Sequence, residues 1–134
     1  MPDELADAAL AARGLAYAPY SLFAVGAALR TDTGMVHAGC NVENAAYPEG
    51  TCAEAGAIAA MVLAGGRRIV EIVVVGDGAV PCTPCGGCRQ KLREFGGAET
   101  VIRIVDTTGA ALLRTTLAEL LPHSFGPENL VERA

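Results

Sequence analysis

The sequence predicts a three-layer α/β/α sandwich built on a mixed central sheet, on the strength of three observations. Two strand-like runs joined by Asp32-Thr33-Gly34 make a hairpin early in the chain. A near-continuous apolar run, Ile69 to Val75, has the character of a central strand covered on both faces. Around these, helical patterns alternate with strands, an order that gives one mixed sheet with helices on both sides.

Leu5 to Tyr17 reads as an Ala-rich amphipathic helix, with Asp3 as N-cap, Leu5, Ala8, Ala9 and Ala12 at helical spacing, and Pro19 ending it. Phe23 to Arg30 and Met35 to Cys40 are the hairpin strands, and Asn41 to Gly50, with its asparagines and Pro48, is a loop. The next helix runs from Thr51 to Ala64 and stops at Gly65-Gly66. After the Ile69 to Val75 strand and the Gly76 to Pro81 loop, Thr83 and Pro84 start a third helix as N-cap and first-turn residue, and Gly96-Gly97 ends it. Thr100 to Val105 is a strand, Leu112 to Thr115 a short edge strand, and Leu117 to Leu121 a short helix before a polar tail. With no repeats or linkers, residues 1–134 are expected to form one domain.

Composition narrows the functional classes. Ten basic against fifteen acidic residues, a formal charge of -5 and no long basic cluster argue against a nucleic-acid or anionic-membrane surface, so a small neutral ligand is expected. No apolar run could span a membrane, and Met1-Pro2-Asp3-Glu4 lacks the basic start of a signal peptide, so the expected location is the cytoplasm. Five cysteines, an odd number with no export signal, fit metal ligation better than a disulfide scaffold. The apolar residues are chiefly aliphatic, and helices this rich in alanine are compatible with burial on more than one face in an oligomer.

Chemistry concentrates in Thr83-Pro84-Cys85-Gly86-Gly87-Cys88-Arg89-Gln90. Two cysteines three apart share a helix face and can present their sulfurs to one point, where a helix N-terminus favours thiolate. One C-x-x-C alone fits a redox dithiol, half of a structural zinc site or two buried apolar cysteines. Thr51-Cys52-Ala53-Glu54 adds a third cysteine and a carboxylate at another helix start. Three thiolates leave one position of a tetrahedral zinc open, and a carboxylate beside it is what metal-assisted hydrolysis needs. Glu54 also completes a capping box with Thr51, which is the preferred reading of that residue taken alone. Cys82 forms a second C-x-x-C with Cys85, although Pro84 and the helix favour the later pair; Cys40 reads as core.

Cys52-Ala53-Glu54 and Pro84-Cys85-Gly86-Gly87-Cys88 match the signature of zinc nucleobase deaminases, H-x-E then P-C-x-x-C, with three-cysteine forms allowed. Together with Asn41-Val42-Glu43-Asn44 and Tyr20-Ser21-Leu22-Phe23-Ala24-Val25-Gly26-Ala27-Ala28, they resemble the small cytidine deaminase family, in order and spacing, from about Tyr17 to the end. The resemblance implies one zinc ion per chain on Cys52, Cys85 and Cys88. It also implies hydrolytic deamination of cytidine and 2'-deoxycytidine to uridine or deoxyuridine plus ammonia, in pyrimidine salvage. Glu54 would be the catalytic proton shuttle. Asn41 and Glu43 would hydrogen-bond the ribose, chiefly its 3'-hydroxyl, and Phe23 would pack on the pyrimidine; taken alone, the first two are loop residues and Phe23 a strand residue of the core. By the same resemblance the amides of Ala53 and Cys85 hold the base carbonyl, and the Thr83 carbonyl receives the departing amino group. A homotetramer with sites at subunit interfaces is implied, Ala45 and Tyr47 touching a neighbour's nucleoside and Phe125 closing another subunit's site.

One position departs from the resemblance. Many three-cysteine relatives place an arginine directly after the catalytic glutamate, where it offsets the thiolate charge; here that residue is Ala55. Compensation is then expected from the two helix N-termini or from Arg89. Two other readings stand beside the first: a zinc deaminase of another base, nucleoside antibiotic or tRNA, and a structural zinc or redox module. Asn41 with Glu43 argues against the former and low positive charge against tRNA in particular, while the latter needs Cys82 as a fourth ligand.

Overall fold

The computed structural model describes residues 3–130. In chain order the elements are α1 (Glu4–Arg13), β1 (Gly26–Thr31), β2 (Val36–Cys40), α2 (Ala53–Leu63), β3 (Ile69–Val75), α3 (Gly86–Phe95), β4 (Val101–Val105), β5 (Ala111–Thr116) and α4 (Leu117–Leu120). The strands form one mixed sheet in the order β2-β1-β3-β4-β5. Only β3 and β4 pair in parallel, joined by the crossover through α3; β1–β2, β1–β3 and β4–β5 are antiparallel.

Strand periodicity divides the core between two faces. Ala27, Leu29, Ile72, Val74, Ile102 and Ile104 point to one side, where Ala57 and Met61 of α2, Leu92 of α3 and Leu117 of α4 cover them. Ala28, Val73, Val75 and Val105 point to the other, under Leu5, Ala6 and Ala9 of α1. The central position expected for Ile69 to Val75 is therefore observed, with Ile72 to Val75 closed to solvent on both faces. Two glycines let helices lie directly on strand backbone. A Cβ on Gly39 of β2 would fall 2.3 Å from the Ala57 nitrogen of α2, and one on Gly26 of β1 would fall 2.1 Å from the Ala9 oxygen of α1.

Four boundaries differ from the sequence reading by two residues or more, and at the first three a contact distant in sequence accompanies the change. α1 stops at Arg13 instead of running to Tyr17, since Gly14 closes it and Tyr17 is drawn out to bridge Val42. β1 begins at Gly26, so Phe23 lies in the loop before the strand; the Asn41 side chain, not a neighbouring strand, takes up the Phe23 carbonyl and the Val25 N–H. α2 starts at Ala53 with Cys52 as N-cap, and the Thr51–Glu54 capping box does not form because Thr51 pairs in both directions with Val42. α3 starts at Gly86 with Cys85 as N-cap, three residues beyond Thr83. The last four residues of the expected polar tail, 131–134, lie outside the described residues, and Pro127–Asn129 forms a 3-10 turn.

Asp3 caps α1 as expected, accepting from the Ala6 N–H at 3.1 Å. It also receives a two-pronged contact from Arg103 of β4, at 2.7 and 3.0 Å, while Arg103 Nε donates to Glu71 of β3. The Arg103 hydrogen bond holds the Asp3 carboxyl down at about 2, against an ordinary 3.8. A depressed folded-state pKa stabilises fully above the unfolded value and loses its effect as pH falls toward the folded one. Because the Asp3 side chain is 40% exposed, screening reduces the effect to about 1 kcal/mol. Asp3→Asn keeps the cap, so it should be less stable than the parent by about that amount at pH 7, with the difference vanishing near pH 2, as read by urea titrations at the two pH values.

Candidate metal centre and active site

Both cysteine motifs arrive at the carboxyl end of β3 for topological reasons. α2 leads into β3 and α3 leaves it, so the N-terminus of each helix lies at that end of the strand. The start of β1 and the end of β2 lie there too, because Gly26 pairs with both Val75 and Cys40. Crevices at the carboxyl ends of strands in open sheets are common ligand sites.

Cys52, Cys85 and Cys88 bring their sulfurs within 4.8 Å of one another, with Cys52 Sγ and Cys85 Sγ 3.9 Å apart. A tetrahedral zinc with Zn–S near 2.3 Å requires sulfurs about 3.8 Å apart, so the donor set and its spacing fit that ion. Among the described residues the cluster comprises these three cysteines alone. Cys82 lines the same cavity and packs against the core with its sulfur toward Gly76, outside the three-sulfur cluster, which leaves the closed four-cysteine site without its fourth ligand.

Electrostatics explain why the cluster calls for a cation. Burial pushes the Cys52 and Cys88 thiols up, while the Cys88 amide N–H at the start of α3 draws Cys85 below its ordinary value. Crowded thiolates repel each other, and a divalent ion removes that cost. The Arg89 guanidinium forks between the Pro84 carbonyl at 2.7 Å and the Leu120 carbonyl at 2.8 Å, bracing the loop that delivers Cys85. The two helix N-termini remain, as expected, the positive ends directed at the sulfurs.

Glu54, on the first turn of α2, is 4% exposed yet lines a cavity of about 290 Å3 together with Cys52 and Cys85. Burial raises its pKa, and its own backbone N–H, the Cys88 thiol and, least, Lys91 of α3 draw it part of the way back. A carboxyl shifted upward in a cleft is suited to exchanging protons near neutrality.

The cavity also collects Asn41, Glu43, Ala53 and Thr83, so most of the site residues expected from sequence meet around one space; Tyr47, expected at a neighbour's nucleoside, lines this chain's own cavity as well. Asn41 and Glu43 leave the end of β2 on a segment gripped by Tyr17 on one side and Thr51 on the other. Phe23 is not among the residues of that wall; 41% exposed, its ring tip lies against Gly76 beside Cys82. Ala45 is exposed, Tyr47 meets the Tyr20 ring with centroids 5.9 Å apart, and Phe125 presents its side chain to solvent while Gln90 holds its carbonyl at 2.9 Å. Sequence reasoning gave no roles to Ser21, which binds Glu43, or Lys91; Ser21 stood inside a quoted motif, but its partner is 22 residues away.

A family model described as "Cytidine and deoxycytidylate deaminase zinc-binding region" matches residues 2–104. The chain belongs to that family. It is similar to the cytidine deaminase of Sporosarcina psychrophila, 42% identical over 119 residues, which cover 89% of this chain and 87% of the relative. It is 44% identical to the cytidine deaminase of Mycobacterium tuberculosis H37Rv over 92% of this chain and 88% of the relative. The crystal structure of cytidine deaminase from Burkholderia pseudomallei superposes with a TM-score of 0.85 at 44% identity, covering 93% of this chain and all of the other. The mixed sheet expected from sequence is therefore the fold of known deaminases, and the matched zinc-binding region together with the three-sulfur cluster supports one zinc per chain.

Arg89→Lys cannot fork between two carbonyls. It should lower stability by about 1–3 kcal/mol in a denaturant titration, because the Pro84 and Leu120 oxygens lose charged donors.

Proposed function

We propose that this chain hydrolyses cytidine and 2'-deoxycytidine, water replacing the 4-amino group to give uridine or deoxyuridine and ammonia. The observation that carries the reading is the meeting of Glu54 with the Cys52, Cys85 and Cys88 cluster at one cavity in a member of the deaminase family. Cys52, Cys85 and Cys88 would hold the zinc, which when bound supplies a Lewis acid and lowers the pKa of water from about 15.7 toward about 7.

The chain's own groups do the remaining work. Glu54 carries protons to N3 of the pyrimidine and to the departing amino nitrogen, a task helped by its raised pKa. The amides of Ala53 and Cys85, at the two helix starts, hold the base carbonyl, and the Thr83 carbonyl accepts from the amino group. Such fixed dipoles stabilise developing charge without reorganising. Asn41 and Glu43 orient the ribose through its 3'-hydroxyl, and the Phe23 ring, which stands outside the cavity wall beside Cys82, comes to rest against the base when the nucleoside is bound. Absence of a 2'-hydroxyl then costs little, so both ribose and deoxyribose are accepted.

The proposed assembly is a homotetramer in which Ala45, Tyr47 and Phe125 reach neighbouring sites. Its support is the exposure of Tyr47 and Phe125, together with the likeness to known deaminases. No helix among the described residues is long and apolar enough to cross a membrane, in keeping with the proposed work in the cytoplasm on a free nucleoside.

Purified protein loaded with zinc should release uridine and ammonia from cytidine, and Glu54→Gln should lower kcat by about 10²–10⁴. A folded, zinc-loaded protein with no turnover would refute the reading. Metal analysis gives a separate check: Ser in place of Cys52, Cys85 or Cys88 should reduce zinc below one per chain, whereas Cys82→Ser should retain it.

A further inference from the structure

The Tyr20-Ser21-Leu22-Phe23 segment is held in an uncommon shape beside Glu43. Leu22 has φ +60°, the left-handed region that a bulky side chain rarely enters, and its side chain is largely exposed, so no core packing compels that shape. Hydrogen bonds do. The Leu22 N–H donates to the Ala18 carbonyl at 3.0 Å, closing a turn. The amides of Tyr20 and Ser21 then both donate to Glu43 Oε1, at 2.9 and 3.1 Å. Ser21 Oγ donates to Glu43 Oε2 and accepts from the Phe23 N–H at 3.0 Å. Asn41 completes the ring from the other side, giving its Nδ2–H to the Phe23 carbonyl at 2.8 Å and accepting the Val25 N–H at 2.9 Å.

The Ser21 hydroxyl is thus the link between two groups that the proposed reaction uses separately. It fixes one oxygen of Glu43 by donation and the backbone of Phe23 by acceptance, spanning the left-handed Leu22 between them. Three donors on one carboxylate also keep Glu43 ionised, with the Ser21 hydroxyl the largest influence. A carboxylate with its rotamer set beforehand loses less freedom when it meets a ligand hydroxyl.

We infer that Ser21 is a positioning residue for sugar recognition: through the left-handed turn at Leu22, its hydroxyl aims Glu43 at the 3'-hydroxyl of the nucleoside and couples that aim to the placement of Phe23, an assignment that rests on the ribose-binding role proposed above for Glu43. Ser21 touches neither base nor metal in this scheme. Its loss should therefore change which sugars are distinguished more than how fast the chemistry runs.

The test compares cytidine with 3'-deoxycytidine in zinc-loaded protein, both as kcat/KM and as Kd on a Glu54→Gln background that binds without turnover. The parent should prefer cytidine by at least tenfold, the scale of a hydrogen bond to a charged group. Ser21→Ala should weaken cytidine about tenfold, chiefly in KM, while barely affecting 3'-deoxycytidine, so that the preference falls toward one. Ser21→Thr, which restores a hydroxyl, should recover it. At the exposed neighbouring position, Leu22→Ile should lose the preference because a β-branched residue resists positive φ, and Leu22→Asn should keep it. Equal losses on both nucleosides in Ser21→Ala, or an unchanged preference, would overturn the inference. So would a parent that binds both nucleosides alike. Absence of turnover with the binding preference intact would instead count against the deaminase reading alone.

Discussion

Three sulfurs, two of them pushed toward protonation by burial, are forced together at one end of a strand. The constraint that brings them there is the way α2 enters β3 and α3 leaves it, which puts two helix N-termini side by side. Their unpaired amides and partial positive charge favour thiolate, and they stand ready to hold ligand oxygens as well. A helix running the other way on either side would direct carbonyls at the same sulfurs and undo both effects.

That arrangement depends on short distances elsewhere. Gly39 lets α2 lie on the β2 backbone, and Gly26 does the same for α1 on β1. The Gly39 contact, against Ala53, Gly56 and Ala57, sets how deeply the first turn of α2 sits, and hence where Cys52 and Glu54 stand. Arg89 performs the matching service for the Cys85 loop by tying it to the end of α4. The arginine that follows Cys88 is thus a brace for the motif.

Much of this could be read from the chain. Ile69 to Val75 declared a central strand because both of its faces are apolar, and Gly34, with φ +88°, marked the hairpin turn. The three cysteines and Glu54 were legible because each sits at a helix start, where spacing converts directly into geometry. Two of the errors share one cause. Thr51 and Phe23 each have a sound local preference, overridden by a partner distant in sequence: Val42 for Thr51, and Asn41 for the Phe23 backbone. For Thr83, the helix begins only at Gly86, once the chain has placed Cys85. Ser21 and Glu43 were visible as motif letters, but nothing local says that one holds the other across 22 positions.

The Asp3–Arg103–Glu71 cluster has a consequence for the order in which the molecule can be completed. Its partners are 100 residues apart in the chain for Asp3 and Arg103, so α1 leaves the ribosome long before β4 exists. Until then the capping carboxylate has only the first-turn amide of its own helix, and isolated helices of this length are marginal in water. The ion pairs that tie the start of α1 to the sheet therefore form only when the strand bearing Arg103 has been laid beside β3, whereas the apolar face of α1 can already rest on Ala28 of β1 and Val73 and Val75 of β3.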